Sequence, residues 1–151
     1  MYIQPAAGDF GTAIGSAFYA LQHYTGQNRR VKQNFSPCLG IKYSNAAIKE
    51  TLETFSDCLY YEQMDSIKIA DEIAKKLIHS KVIGLFHGRS EFGPRALGCR
   101  SILANPCDAS IQDHINRFIK FREDFRPFAP VVPREAVNKY FETGLDDSPY
   151  M

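Results

Sequence analysis

Apolar positions along the chain recur at helical spacing in some stretches and run together in others. Ala13, Ile14, Ala17, Phe18 and Leu21 repeat at about 3.6 residues and predict a helix. Thr12 is placed to cap it and Gly26 to stop it. Before it, Tyr2-Ile3-Gln4 reads as a strand end and Ala7 to Gly11 as a tight turn. Leu39 to Tyr43 reads as a strand. Ala47, Ile48, Leu52 and Phe55 then predict a helix over 44–55 with Ser44 as its cap, and Leu59 to Glu62 reads as a second strand. The clearest stripe is Ile69, Ala70, Ile73, Leu77 and Ile78, a helix over 67–80 with Lys75, Lys76 and Lys81 near its C-terminal end. Val82 to Phe86 has the look of a buried strand, and Ser101 to Ala104 of another. Asp108 is placed to cap a helix through Ile111, Ile115, Phe118 and Ile119. Phe128 to Val132 reads as a strand and Pro133 to Phe141 as a helix with proline in its first turn. Strands alternating with helices predict an α/β chain.

Composition narrows the class. The 151 residues are 44% apolar and 23% charged, which excludes collagenous, disordered and coiled-coil chains and predicts a sizeable core. Eighteen Lys and Arg against 17 Asp and Glu leave a net charge of +1, so no global field draws the chain to nucleic acid. No apolar run reaches the roughly 20 residues a membrane helix needs. Residues 1–10 lack the basic-then-apolar order of a secretory signal. Cys38, Cys58, Cys99 and Cys107 form no CxxC pair, and a cytoplasmic setting with reduced thiols is expected. The triplet Asn34-Phe35-Ser36 fits the glycosylation pattern, which carries nothing in that compartment.

Three clusters hold the candidate chemistry. The densest is His87 to Ser101, directly after a strand-like run. Gly88, Gly93 and Gly98 free its backbone, and Arg89, Arg95 and Arg100 supply three guanidinium groups. Such a loop suits a small oxyanion, held by a nest of backbone N–H groups and by the planar guanidinium fork. An equally simple reading is a surface loop whose arginines pair with Glu91 and other carboxylates. It is neither a P-loop nor a dinucleotide fingerprint, because GxxxxGK[ST] and GxGxxG are both absent.

The second cluster, Asn116 to Pro130, interleaves cations with phenylalanines. It reads as an anion site with Lys120 and Arg126 turned inward, as a single-strand nucleic-acid platform, or as a core-facing Phe stripe with a solvated charged face. Glu123 and Asp124 count against the nucleic-acid reading. The polar, basic run 27–37 reads as a linker or exposed loop, or as a nucleic-acid arm, against which its three basic residues without a wider patch count. The third cluster, Ala7 to Ala17, sets Asp9 in a glycine-flanked turn before a helix. That suits a metal or phosphate position, or a plain Asx turn. His23, His79, His87 and His114 share no HxxxH or HExxH spacing, and only His87 adjoins a candidate site. No GxSxG motif supports a serine hydrolase.

The strings carry the reading further. His87-Gly88-Arg89-Ser90-Glu91-Phe92-Gly93-Pro94-Arg95-Ala96-Leu97-Gly98-Cys99-Arg100-Ser101-Ile102-Leu103-Ala104 resembles the HGRxExGPRALGxRSILA signature of the O-carbamoyltransferases, the nodulation-protein-U type and its cephem- and tobramycin-modifying relatives. Ile115-Asn116 through Lys120-Phe121-Arg122-Glu123-Asp124-Phe125-Arg126-Pro127-Phe128-Ala129-Pro130 resembles the same family's IN…KxRExFRPFAP segment. Two long strings in order and at fitting separation are specific, and the resemblance covers essentially the whole chain.

The resemblance implies a YrdC-like mixed twisted sheet with helices over 39–151, truncated at its C-terminus. It also implies a linker over 27–38, and over 1–26 the last strand-turn-helix of an ASKHA-type domain. It implies that carbamoyl phosphate and ATP give a carbamoyl-adenylate, whose carbamoyl group passes to a substrate hydroxyl near a divalent metal, iron or magnesium. Asp9 matches a metal ligand of the family. Arg95, Lys120 and Arg126 match the basic positions expected at the reacting phosphates, with His87, Gly88, Arg89, Gly93, Arg100 and Ser101 completing the anion site. A breaking acyl-phosphate bond needs positive charge on its oxygens, which suits these residue types. The family's HxxxH metal pair and its HxDGTARxQ and NTSFN strings do not occur here. The resemblance therefore implies an internal piece of an enzyme, with the rest of the ASKHA-type domain as its partner, rather than a chain that turns over alone. The remaining alternatives are a tRNA-binding YrdC-like module and a catalytically silent fragment.

Overall fold

The structure is a computed structural model that describes residues 6–27, 36–142 and 150. The strand end expected at Tyr2-Ile3-Gln4 and most of the expected linker lie outside them. Five α-helices and one two-stranded antiparallel ribbon make the described chain α/β. They fall into two compact units. Among the described residues, one joins 6–27 and 36–61 with 86–101, and the other joins 62–85 with 102–142.

In the first unit, α1 runs Asp9–Thr25. Its cap is Gly8, four residues earlier than the expected Thr12 cap, because the Gly11 and Thr12 N–H groups both donate to the Gly8 carbonyl. Gly26 closes it as expected, at φ 68° with its N–H on the Gln22 carbonyl. The helix α2, Asn45–Thr54, carries the expected cap: the Ser44 hydroxyl accepts from Ala47 N at 3.2 Å. The strands expected at Leu39–Tyr43 and Leu59–Glu62 do not form. Leu59 N donates to the Phe55 carbonyl and is tied to the end of α2. Residues 37–40 instead lie against the Gly/Arg loop. Phe92 N donates to the Pro37 carbonyl at 2.7 Å, and Gly40 N to the Ser90 carbonyl at 2.9 Å. That approach requires glycine, since a Cβ on Gly40 would sit 2.7 Å from the Ser90 Cβ.

In the second unit, α3 spans Ser66–Ile78. Asp65 caps it, its Oδ1 accepting from Ile67 N at 3.1 Å and Lys68 N at 2.9 Å. The ribbon pairs β1, Ile83–Phe86, with β2, Arg100–Leu103. The continuous apolar run at β1 suggested burial on both faces, but Gly84 and Phe86 are exposed while Ile83 and Leu85 are half-buried. The helix expected from Asp108 through Ile119 is α only over α4, Ile111–His114, and then widens into a π turn over Ile115–Ile119. Asp108 does not cap it: its carboxylate accepts from Ser110 N and the Ser110 hydroxyl in a local turn. No strand forms over 128–132. Pro127, Pro130 and Pro133 remove donors there, and no second strand pairs with the segment. A 3₁₀ turn, Arg134–Ala136, leads into α5, Val137–Tyr140.

The expected core is largely missing. Among the described residues, only Ala6 and Ile115 are buried apolar side chains. The helices keep amphipathic faces, but the described ribbon has two strands and covers little of them. Glu91 and Asn116, both polar, are as buried as those two. Each organises one candidate site.

Candidate functional site

In the first unit the Gly/Arg loop closes on Glu91. Its side chain is fully buried. Oε1 accepts from Leu97 N at 2.8 Å, Cys99 N at 2.6 Å and Arg100 N at 3.1 Å. Oε2 accepts from Arg100 Nε at 2.9 Å, and Arg100 Nη2 donates back to the Glu91 carbonyl at 2.6 Å. Burial pushes the carboxyl up. The Arg100 ion pair and the backbone donors outweigh it and hold the group down at about 2. The sequence suggested that these backbone N–H groups form a nest for a ligand. Three of them do form an anion nest, and Glu91 fills it from within the chain.

This arrangement fixes the stem and leaves the tip free. Gly93 and Gly98 take φ values of 109° and 108°, which turn the chain through Pro94-Arg95-Ala96. Gly93 also lies against buried Ala6, where an added Cβ would stand 3.5 Å from the Ala6 Cβ. The Phe10 ring of α1 meets the Phe92 ring edge-on at 6.5 Å. Two of the sequence clusters, at residues 7–17 and 87–101, are thus neighbours.

The loop's polar groups divide by their commitments. Arg100 is tied to Glu91, and Arg89 Nη1 donates to the Gly40 carbonyl at 2.8 Å. The Ser101 hydroxyl accepts from Gly98 N at 3.1 Å. His87 is exposed, with its backbone N–H on the Cys99 carbonyl. Gly88 takes φ 67° beside it. Arg95 is exposed and meets no carboxylate or carbonyl among the described residues.

In the second unit the π turn is built around Asn116, which has no exposed surface. Its Nδ2 donates to the Asp124 and Arg126 carbonyls, each at 3.0 Å, and its Oδ1 accepts from Arg122 Nε at 2.8 Å. Gln112 Nε2 reaches the same two carbonyls at 3.2 Å. The Arg117 guanidinium pairs with the Asp124 carboxylate and holds it below the usual carboxylate range. Arg122 also lies over the Phe128 ring at 4.8 Å. These ties curl 120–126 into a tight loop in which Phe121 sits at φ 48°, uncommon for an aromatic residue. On that loop Arg126 is exposed and paired with Glu123 at 2.8 Å. Lys120 is exposed, and its ammonium has no partner among the described residues.

The sequence pointed to Arg95, Lys120 and Arg126 by their charge. It did not mark Glu91, Asn116 or Arg122 as organising groups. A lone acid among arginines and a lone Asn after an isoleucine look ordinary in one dimension. A buried polar residue shows its importance only through its partners.

Asp9 lies exposed in the first turn of α1, where the helix dipole favours its charge. Among the described residues, no three His, Cys, Asp or Glu side chains come together to hold a metal. Among the described residues the donor set fits neither iron nor magnesium.

The family profile described as Carbamoyltransferase C-terminus matches residues 74–151, which include both organised loops. The chain belongs to the carbamoyltransferase family. It is 41% identical over 152 residues to nodulation protein NolNO of Sinorhizobium fredii, covering 98% of this chain and 21% of that protein. It is 34% identical over 151 residues to a 3'-hydroxymethylcephem-O-carbamoyltransferase of Amycolatopsis lactamdurans, covering 100% of this chain and 26% of the relative. A Synechocystis protein of uncharacterised role is 41% identical over 155 residues, covering 100% of this chain and 25% of its own length. The chain spans about a quarter of the curated relatives it matches. No helix of the described residues is long and apolar enough to cross a membrane.

Proposed function

We propose that this chain is part of an ATP-dependent O-carbamoyltransferase and contributes the anion site for its carbamoyl donor. The observation that carries this reading is Arg95: an uncommitted guanidinium at the tip of a glycine-framed turn whose stem Glu91 has already fixed. A guanidinium held on a pre-formed turn can clamp a phosphate dianion with little ordering cost. Carbamoyl phosphate is such a dianion.

In the first unit Arg95 is the cation offered to the donor's phosphate oxygens. In the second unit Lys120 is a separate free cation, and Arg126 becomes one on exchanging its Glu123 partner for an anion. His87, Gly88, Arg89, Gly93, Arg100 and Ser101 shape the loop around the anion. Positive charge beside these oxygens stabilises the negative charge that departs with the phosphate as the acyl–oxygen bond breaks. Water displaces the phosphate, the carbamate formed attacks the α-phosphorus of ATP with loss of pyrophosphate, and an acceptor hydroxyl takes the carbamoyl group from the adenylate with loss of AMP. The relative named for cephem carbamoylation supports a small-molecule acceptor.

We assign residues 39–151 to a YrdC-like domain and 1–26 to the end of an ASKHA-type domain, joined by 27–38, in a cytoplasmic enzyme. Within that assignment the rest of the ASKHA-type domain is the partner, and it carries the acceptor pocket and the metal.

The test is a thermal-shift titration with carbamoyl phosphate, with inorganic phosphate and ATP as controls. A ligand at 100 times its Kd adds about 2.7 kcal/mol. The expected result is a shift specific to carbamoyl phosphate that falls at least tenfold in apparent affinity with Arg95→Ala. An Arg95→Ala protein that binds the donor as before in the full-length enzyme overturns the assignment.

A further inference from the structure

Cys38 and Cys99 lie 61 positions apart in sequence, yet their sulfurs are 3.4 Å from one another. Both are free thiols and both are half-buried, whereas Cys58 and Cys107 are exposed. Their surroundings hold the pair together. Residues 37 and 40 are hydrogen-bonded to 92 and 90, and Arg89 reaches the Gly40 carbonyl. On the other side, Cys99 N is fixed on Glu91 and the Cys99 carbonyl on His87 N. A disulfide has an S–S length of about 2.05 Å, so closing this one requires the sulfurs to approach by little more than an ångström.

We propose that Cys38 and Cys99 are a redox modification site, forming a reversible disulfide that fastens the 36–40 segment to the stem of the Gly/Arg loop. The oxidant is hydrogen peroxide. The Cys38 sulfur attacks one peroxide oxygen, the O–O bond breaks and water leaves, giving a sulfenic acid at Cys38. The Cys99 sulfur then attacks the Cys38 sulfur. The S–O bond breaks, and the hydroxyl leaves as a second water with the Cys99 proton. The two sulfurs lose two electrons and the peroxide gains them. Burial, and then its Cys38 neighbour, push the Cys99 thiol up to about 11. The same disulfide and the same two waters result if the two sulfurs exchange roles.

The bond would tie two flanks of the turn that carries Arg95, and this consequence rests on the donor-site reading above. Closure restricts Gly93 to Gly98 and alters donor binding at the tip. The thiol form leaves that turn free.

The experiment uses the full-length protein, treated with hydrogen peroxide and then alkylated, with disulfides mapped by mass spectrometry. The expected result is a Cys38–Cys99 linked peptide that dithiothreitol reverses and that still forms in the Cys58→Ser/Cys107→Ser variant. Cys38→Ser and Cys99→Ser each abolish it, and the Cys58→Ser/Cys107→Ser variant keeps the test meaningful should either fail to fold. If Cys38 and Cys99 stay fully alkylated while Cys58 and Cys107 oxidise, the site is overturned, whatever the donor proves to be. Where the linked peptide forms, the Kd for carbamoyl phosphate is expected to change at least threefold and to recover on reduction. A linked protein that binds carbamoyl phosphate unchanged overturns the regulatory consequence, and one in which neither redox form binds it overturns the donor-site reading.

Discussion

Glu91 gathers four hydrogen-bond donors onto one buried carboxylate, and its charge is what lets one side chain satisfy so many. Glu91→Gln keeps the shape but sets an amide N–H₂ against Arg100. The expected loss is about 2–3 kcal/mol, the range for hydrogen bonds to a charged group, because Arg100 is partly exposed. Thermal unfolding at pH 7 reads this as a drop of several degrees. The same group sets an acid dependence. Its folded pKa, about 2, lies below the ordinary 4.5. Its contribution is therefore fully present above pH 4.5 and is lost as pH falls from 4.5 towards 2. Urea unfolding between pH 6 and pH 2.5 is expected to show a loss of up to about 3 kcal/mol from this group. The loss is largely absent in Glu91→Gln. An unchanged pH slope in that variant contradicts the account.

At the scale of elements, two local devices decide where helices start and bend. Asp65 satisfies two of the free N–H groups at the start of α3. Asp65→Ala is expected to cost about 1 kcal/mol. Amide exchange at residues 67 and 68 then speeds up roughly fivefold where it proceeds by local opening. Asn116 holds the loop after the π turn. Asn116→Ala removes the Arg122 acceptor and two of the four amide contacts to the Asp124 and Arg126 carbonyls. An expected loss of about 1–3 kcal/mol shows as faster exchange through 116–126, with α3 unaffected. Gln112 keeps its own contacts to the two carbonyls, so Gln112→Ala, with exposed partners, is the milder variant. The reverse order of severity would mean that Asn116 is not the organising residue.

At the scale of the whole molecule, the two compact units each enclose one polar centre and very little apolar core. Asp9 stands apart from any cluster of metal donors among the described residues. Ferrous iron is therefore expected to leave the unfolding temperature of this chain unmoved, and Asp9→Ala to make no difference to that titration. A tight, Asp9-dependent shift would show that the chain holds metal by itself.

Much of this was open to a reader of the sequence. Helical spacing and cap chemistry are local, so α1, α2 and α3 stand close to their expected places, with Ser44 and Gly26 in their expected roles. The two signature strings placed the chain among the carbamoyltransferases before any coordinate. Local pattern failed where a segment's partner lies elsewhere. Leu39–Tyr43 and Phe128–Val132 have strand-like side chains, but a strand needs a neighbour; Gly40 bonds the Gly/Arg loop instead, and Pro130 removes a donor from the second segment. Charge, glycine content and periodicity belong to residues, so the sequence by itself determined the α/β class, the family and the cationic character of both loops. Which cations are free depends on who meets whom. Only the tertiary structure decided that Glu91 fills the loop's own anion nest, that Arg100 is tied to it while Arg95 is not, and that Cys38 faces Cys99, because each is a contact between groups the chain order keeps apart.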